Sequence, residues 1–157
     1  MNTIRSPFWI SWLAVMCGIG LLWIAFRFMP VIPFFDRPAV VRFPDRTEWR
    51  VEVVRSPQAL GRGLSGRESL LEGEGMLFAF PNSSRPMIWM KDMKFALDIL
   101  WLNQGILVDR LESAPPAGAN PDVSYLPEAD ADMVLEVPAG TVQKHGLKLG
   151  DPLDIIW

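Results

Sequence analysis

The stretch Gly75-Met-Leu-Phe-Ala-Phe-Pro-Asn-Ser-Ser-Arg-Pro-Met-Ile-Trp-Met-Lys-Asp-Met-Lys-Phe-Ala-Leu-Asp-Ile-Leu-Trp-Leu102 is dense in Met, Phe and Trp, yet a polar knot, Lys91-Asp92-Met93-Lys94, sits in its middle. Short apolar runs bounded by Pro, Asn and Ser read as strands rather than helices. Three such runs are present: Met76 to Phe80, Ile88 to Met90 and Phe95 to Leu102. In the last, strict alternation puts Phe95, Leu97, Ile99 and Trp101 on one face. Ala96, Asp98, Leu100 and Leu102 share the other. A carboxylate among aliphatic neighbours must be paired or must shift its pKa. Asp98 is therefore either a buried pin, held by an ion pair or by backbone N–H groups, or part of a functional pocket.

Outward from this stretch the signals stay short. Ala39 to Phe43 reads as a strand and Pro44-Asp-Arg-Thr47 as a turn. In Glu48 to Val54, Trp49, Val51 and Val53 alternate with Glu48, Arg50 and Glu52. Ser56-Pro57 is an N-cap followed by proline in the first turn of a short helix, which Gly61 and Gly63 end near Arg62. Downstream, Phe95 to Leu102 and Ile106 to Ser113 form a hairpin around Asn103-Gln-Gly105. Ala114 to Asp122 is a loop and Asp130 to Val137 a strand. Pro138 to His145 is a short helix with Gly146 at its left-handed end, and Leu153 to Trp157 is a last strand. About eight short strands, two short helices and Gly/Pro turns predict a mainly β protein, a single sandwich or jelly-roll-like domain.

Phe8 to Phe26 contains no charged side chain over 19 residues. As a helix it would span roughly 28 Å, about the thickness of a bilayer core. Trp9, Trp12 and Trp23 lie toward its ends, as interfacial aromatics do. The run is long for a signal-peptide core and no small-x-small cleavage site follows it, so an uncleaved anchor is expected. The organisation expected is a flank over 1–7, a transmembrane anchor over 8–28, a Pro-rich linker over 29–37 and a β domain over 38–157. For orientation, Arg27, Arg37 and Arg42 lean toward a cytoplasmic domain, whereas a short N-terminus before one apolar helix reads as an exported domain.

The single cysteine, Cys17, lies in the apolar run, so the domain has no disulfide, no cysteine zinc site and no cysteine nucleophile. Charge is uneven. Residues 38–94 hold nine basic and seven acidic side chains, net +2; residues 95–157 hold three and ten, net −7. No basic face of the kind nucleic acid requires is present. His145 stands alone near a helix end, where a cap or surface role suits it. Asp122, Glu128, Asp130 and Asp132 lack the order of a calcium loop. Neither a metal nor a cofactor is expected.

The functional candidates are therefore Trp89, Met90, Lys91, Asp92 and Asp98, with Arg85 as a nearby cation. They read as a pocket walled by Trp89, Met90 and Met93 and ringed by charge. Such a pocket would bind a small polar ligand, for example a saccharide with Trp89 as stacking platform, or a protein partner at the cell envelope. An enzyme with Asp98 or Asp92 as acid–base and Lys91 as stabiliser is the alternative. A purely structural interaction domain is another.

Arg62-Gly-Leu64, Gly75-Met-Leu-Phe-x-Phe80, Trp89-Met-Lys-Asp92, Leu97-Asp-Ile-Leu-Trp-Leu102, Leu135-Glu-Val-Pro-Ala-Gly140 and Gly146-x-x-x-Gly-Asp151, in this order, resemble the DUF192 family over about residues 48–155. The resemblance implies a small β-rich domain, often exported or membrane-tethered, with no settled biochemical activity. It tips the expected location toward a single-pass membrane protein with a periplasmic or other extracytoplasmic domain. The family's Trp-Met-Lys-Asn-Thr stands here as Trp89-Met-Lys-Asp-Met93, its Pro-Leu-Asp as Ala96-Leu-Asp98, and its Pro-Cys as Pro115-Pro116. These departures tell against a mechanism that needs a thiol or hydroxyl at those positions.

Overall fold

The computed structural model describes residues 38–118 and 123–157. The N-terminal flank, the 8–28 anchor and the 29–37 linker lie outside the described residues. Among those described, no helix is long and apolar enough to cross a membrane. The β domain lies in one compact unit, Phe35–Trp157.

Nine strands and two short helices are described: β1 (Ala39–Arg42), β2 (Glu48–Val54), α1 (Pro57–Arg62), β3 (Glu74–Ser84), β4 (Ile88–Trp89), β5 (Leu97–Asn103), β6 (Ile106–Ala114), β7 (Ser124–Tyr125), β8 (Ala131–Pro138), α2 (Thr141–His145) and β9 (Asp154–Ile156). The mainly β expectation holds. The sandwich does not. Seven strands form one sheet in the order β6-β5-β8-β3-β2-β1-β9, and β4 pairs with β7 in a two-stranded ribbon. The large sheet curls into a half-barrel. Its two ends touch where Leu107 N–H donates to the Asp151 carbonyl (2.9 Å) and Leu153 N–H to the Gly105 carbonyl (2.8 Å).

The physical reason lies in the central strands. Every residue from Leu97 to Leu102 is buried. The alternation read from sequence is real, but both faces carry a core. Leu100 and Leu102 join Phe43, Val51, Leu77, Leu135 and Val137 inside the curl. Leu97, Ile99 and Trp101 join Met76, Phe78, Ile88, Met90 and Val134 on the convex side. The β4–β7 ribbon and the loop after α1 cover that second core, and Trp101 Nε1 donates to the Pro86 carbonyl at 3.0 Å. A sandwich keeps one face of each sheet wet; the central strand β5 does not, while β2 does, with Glu48, Arg50 and Glu52 alternating outward.

Strands β2 and β3 pair in parallel, so the chain must cross over between them. The crossover carries α1, capped by Ser56 Oγ accepting from Ala59 N–H at 3.3 Å, with Pro57 in its first turn. It delivers Arg62–Gly66 onto the convex face. Gly75 sits where β3 enters the sheet. A Cβ there would lie 2.9 Å from the Glu136 carbonyl and 3.2 Å from Val51 and Val137 methyls, so only glycine lets the three strands close up. Strand β3 also continues to Ser84, past the expected end at Phe80. A register shift against β8 between Ala79 and Ser84 accommodates Pro81.

Candidate functional site

The polar knot is a turn. Met93 N–H donates to the Met90 carbonyl (3.3 Å), and Asp92 has φ 56°, a left-handed conformation that Asp and Asn tolerate better than most residues. Its backbone binds the crossover. Ser65 Oγ donates to the Lys91 carbonyl (2.8 Å) and Gly66 N–H to the Asp92 carbonyl (2.9 Å). Both side chains point outward and are exposed. The knot thus contributes carbonyls where the sequence had suggested charged side chains.

Between the turn, the crossover loop and the convex face lies a cleft of about 260 Å³. Leu64, Phe78, Phe80, Met93 and Trp89 wall it, and Arg62 and Met87 stand among its lining residues. Gly63, at φ 50°, ends α1 and would place any side chain 3.1 Å from the Phe78 ring. Glycine there brings the loop down onto that ring. Trp89 is 46% exposed and presents its indole to the cleft.

One carboxyl lines this apolar space. Glu136, in β8, is only 4% exposed. It faces the convex side with Val134, opposite Met76 of β3 and Ile99 of β5 in register. Among the described residues its carboxyl makes no hydrogen bond or ion pair. Burial alone pushes it up from the usual 4.5 to about 8. At neutral pH it is chiefly a neutral acid, able to donate one O–H and to accept. The sequence reading passed over this residue. Glu136 interrupts the apolar run Val134-Leu135-Glu136-Val137 as Asp98 interrupts its own, and the same argument would have found it.

Asp98 is on the other face and fully buried. Its Oδ1 accepts from Ser113 N–H and its Oδ2 from Val142 N–H, both at 2.8 Å. Val142 lies in the first turn of α2, whose N-cap, Gly140, offers no side-chain acceptor. Asp98 therefore caps that helix from a distant strand, and it satisfies Ser113 (φ 54°) at an irregularity in the β5–β6 pairing.

The remaining candidates are dispersed. Met90 is fully buried in the convex core. Lys91 Nζ lies 5.7 Å from the centroid of the Trp89 ring, and Trp89 is part of the cleft lining. Arg85 is exposed and donates from Nε to the Pro127 carbonyl at 2.6 Å. Of the six residues selected from sequence, then, Trp89 lines the cleft and Lys91 borders it through that ring.

His145 is not a surface residue. Its side chain is 5% exposed, its ring stacks on Phe43 (4.8 Å between centroids, 11° between planes), and Nδ1 lies 2.6 Å from Asp45 Oδ2. That hydrogen bond, with one from Thr47 N–H, holds the Asp45 carboxyl down at about 2. Among the described residues no three His, Cys, Asp or Glu side chains are grouped to hold a metal.

The family model of DUF192, described as an uncharacterized group, matches residues 40–155. No curated protein matches the chain. Among the solved structures that share the fold are two. One is a proposed transcription regulator from Sinorhizobium meliloti (26% identity, TM-score 0.69, covering 77% of this chain and 95% of that one). The other is a protein of unknown function from Novosphingobium aromaticivorans (24% identity, TM-score 0.68, covering 80% and 89%).

Proposed function

Because the chain belongs to the DUF192 family, for which no activity is described, we propose its function from the cleft: the domain is a binding module for a small molecule with an apolar body and one polar group. The observation that carries this reading is Glu136, a buried carboxyl without a protein partner at an apolar cleft. Leaving such a group unpaired costs about 1–3 kcal/mol when it is wholly shut off from water, and less where an open cleft admits water. A ligand that hydrogen-bonds it recovers that energy while its body covers Phe78, Phe80 and Trp89. An apolar body suits these walls better than a sugar does, because a sugar needs several polar partners. Asp98 is closed off behind the sheet, which leaves the acid–base alternative without that carboxylate.

The test is a fragment screen by ¹H–¹⁵N chemical shifts on residues 35–157, which form a compact unit with their own core. Hits should move Phe78, Trp89 and Glu136 together and weaken at least tenfold in Glu136→Leu. Hits that cluster elsewhere, or that ignore the substitution, would reject the cleft.

The anchor is part of the same proposal. The uncharged run Phe8–Phe26 supports a single membrane-spanning helix that tethers the domain on the extracytoplasmic side, where it would meet envelope ligands or partners. Protease added to intact spheroplasts should degrade the domain; full protection would refute export.

A further inference from the structure

Resting on the cleft reading, we propose that its ligands are small amphipathic acids, with the anionic end held between Arg62 and Lys91 at the mouth and the apolar body inside, toward Glu136. Three observations on the structure point this way.

The first is charge at the mouth. Four cations lie on or near the loop and turn that frame the cleft: Arg62, Arg67, Lys91 and Lys94. Two are neutralised. Arg67 forms a two-point pair with Glu52, with both N···O distances 2.6 Å, and Lys94 pairs with Glu68. Arg62 and Lys91 make no ion pair and no side-chain hydrogen bond among the described residues. Asp92, the acid nearest Lys91 in sequence, pairs with neither. Arg62 lines the cleft, and Lys91 sits over the ring of Trp89, which lines it too. Among the described residues they are the two cations beside the cleft that no acid neutralises.

The second is size. A cavity of roughly 150 Å³ holds benzene. A cleft of about 260 Å³ therefore takes one ring with a two- or three-carbon tail. A tail of that length lets the charged end stay in water at the rim while the ring is covered.

The third is the far end. A neutral carboxyl does not repel an acid, whereas a carboxylate would. An amine could pair with ionised Glu136, but its ammonium would have to pass Arg62 and Lys91. A hydroxyl on the ring gives Glu136 an acceptor and a donor.

Each rim cation in water favours an anion by up to about fivefold and disfavours a cation by as much. Acid and amine of the same body should then differ by roughly tenfold or more, with the alcohol between. The probes are 3-(4-hydroxyphenyl)propionate, the corresponding propanol and the corresponding propylamine, titrated into residues 35–157 at low salt by chemical shift. The expected order is acid, alcohol, amine. In the double variant Arg62→Gln, Lys91→Gln the three should converge within about twofold, with the alcohol unchanged. Added salt should weaken only the acid in the native protein.

If the alcohol or amine binds as tightly as the acid, and binding still depends on Glu136, the acid preference is wrong while the cleft stands. If the acid wins but the double variant keeps its preference, Arg62 and Lys91 are not the anion site and the proposal fails. Absence of binding by all three rejects single-ring acids as the ligand class, and the cleft itself is then judged by the fragment screen.

Discussion

Asp98 and Glu136 lie on adjacent strands one register position apart, since Asp98 pairs with Val137 and Ile99 with Glu136, and they face opposite sides of the sheet. Asp98 is saturated by two backbone N–H groups. Glu136 has no partner among the described residues. The same residue class thus fills two roles within one hairpin's width, one as a pin and one as an unfilled valence. The difference is set by what each face packs against: a helix start with a spare N–H on one side, an apolar cleft on the other.

The unpaired carboxyl predicts a pH dependence. Glu136 in the folded protein titrates near 8, above the 4.5 of the unfolded chain. Below 4.5 both states hold the proton and Glu136 adds no pH dependence. Between 4.5 and 8 the unfolded state loses it first, so stability falls as pH rises, and the loss levels off above 8. Its size is at most a few kcal/mol. Urea melts from pH 5 to 9 should show this decline, and Glu136→Gln should flatten it and exceed the native protein at pH 8. Asp45, held at about 2 by His145, acts in the opposite sense and only as pH falls from 3.8 toward 2, so the two windows are separate.

Asp98→Asn keeps the shape but offers one acceptor where two N–H groups need one each. The Ser113 or the Val142 N–H is left buried and unmet, at a cost of about 1–3 kcal/mol. Thermal melts should show the loss, and fragment binding at Trp89 should persist in the folded fraction. Unchanged stability would mean that the carboxylate is not the pin.

Gly75→Ala forces a methyl against the Glu136 carbonyl, a backbone atom fixed by two flanking strands. The sheet must open there, and denaturant midpoints should fall by the equivalent of about 1–3 kcal/mol.

At Asp92 the requirement is conformational. Asp92→Gly and Asp92→Asn should leave the melting temperature within a few degrees, whereas Asp92→Val should lower it by the equivalent of about 1–3 kcal/mol, because a β-branched residue resists φ 56°. If instead Asn and Gly are as harmful as Val, the Asp92 side chain matters in a way its exposure hides.

Local signals carried much of the fold in the sequence. The alternation of Glu48–Val54, the Ser56-Pro57 helix start and the Asn103-Gln-Gly105 hairpin are all found in place. Two things were not legible, for different reasons. Parallel pairing of β2 with β3 leaves no local mark, because it depends on a crossover whose direction period-2 patterning does not encode. The two-residue strand β7 is too short to show a period at all. The site was half visible. Trp89, chosen from the sequence, lines the cleft, and Asp98 is buried as its aliphatic neighbours implied, but burial of an acid does not say which face will supply its partners. That information sits in Val142, 44 residues away. Lys91 and Asp92 were chosen for their charges, while the turn uses their carbonyls, and backbone roles are silent in side-chain chemistry.

Strand β1 finds its outer neighbour in β9, with Val40 opposite Ile156. More than a hundred residues of chain must therefore be synthesised between the two halves of one strand pair. Until they are, β1 offers a bare edge, and the curl cannot close through Leu153 and Gly105. A nascent chain in this condition is a target for holding factors and for any protease it meets. If the domain is exported, the seam also gives translocation its chance: the chain stays open enough to thread until its last strand arrives, and snaps shut on the far side.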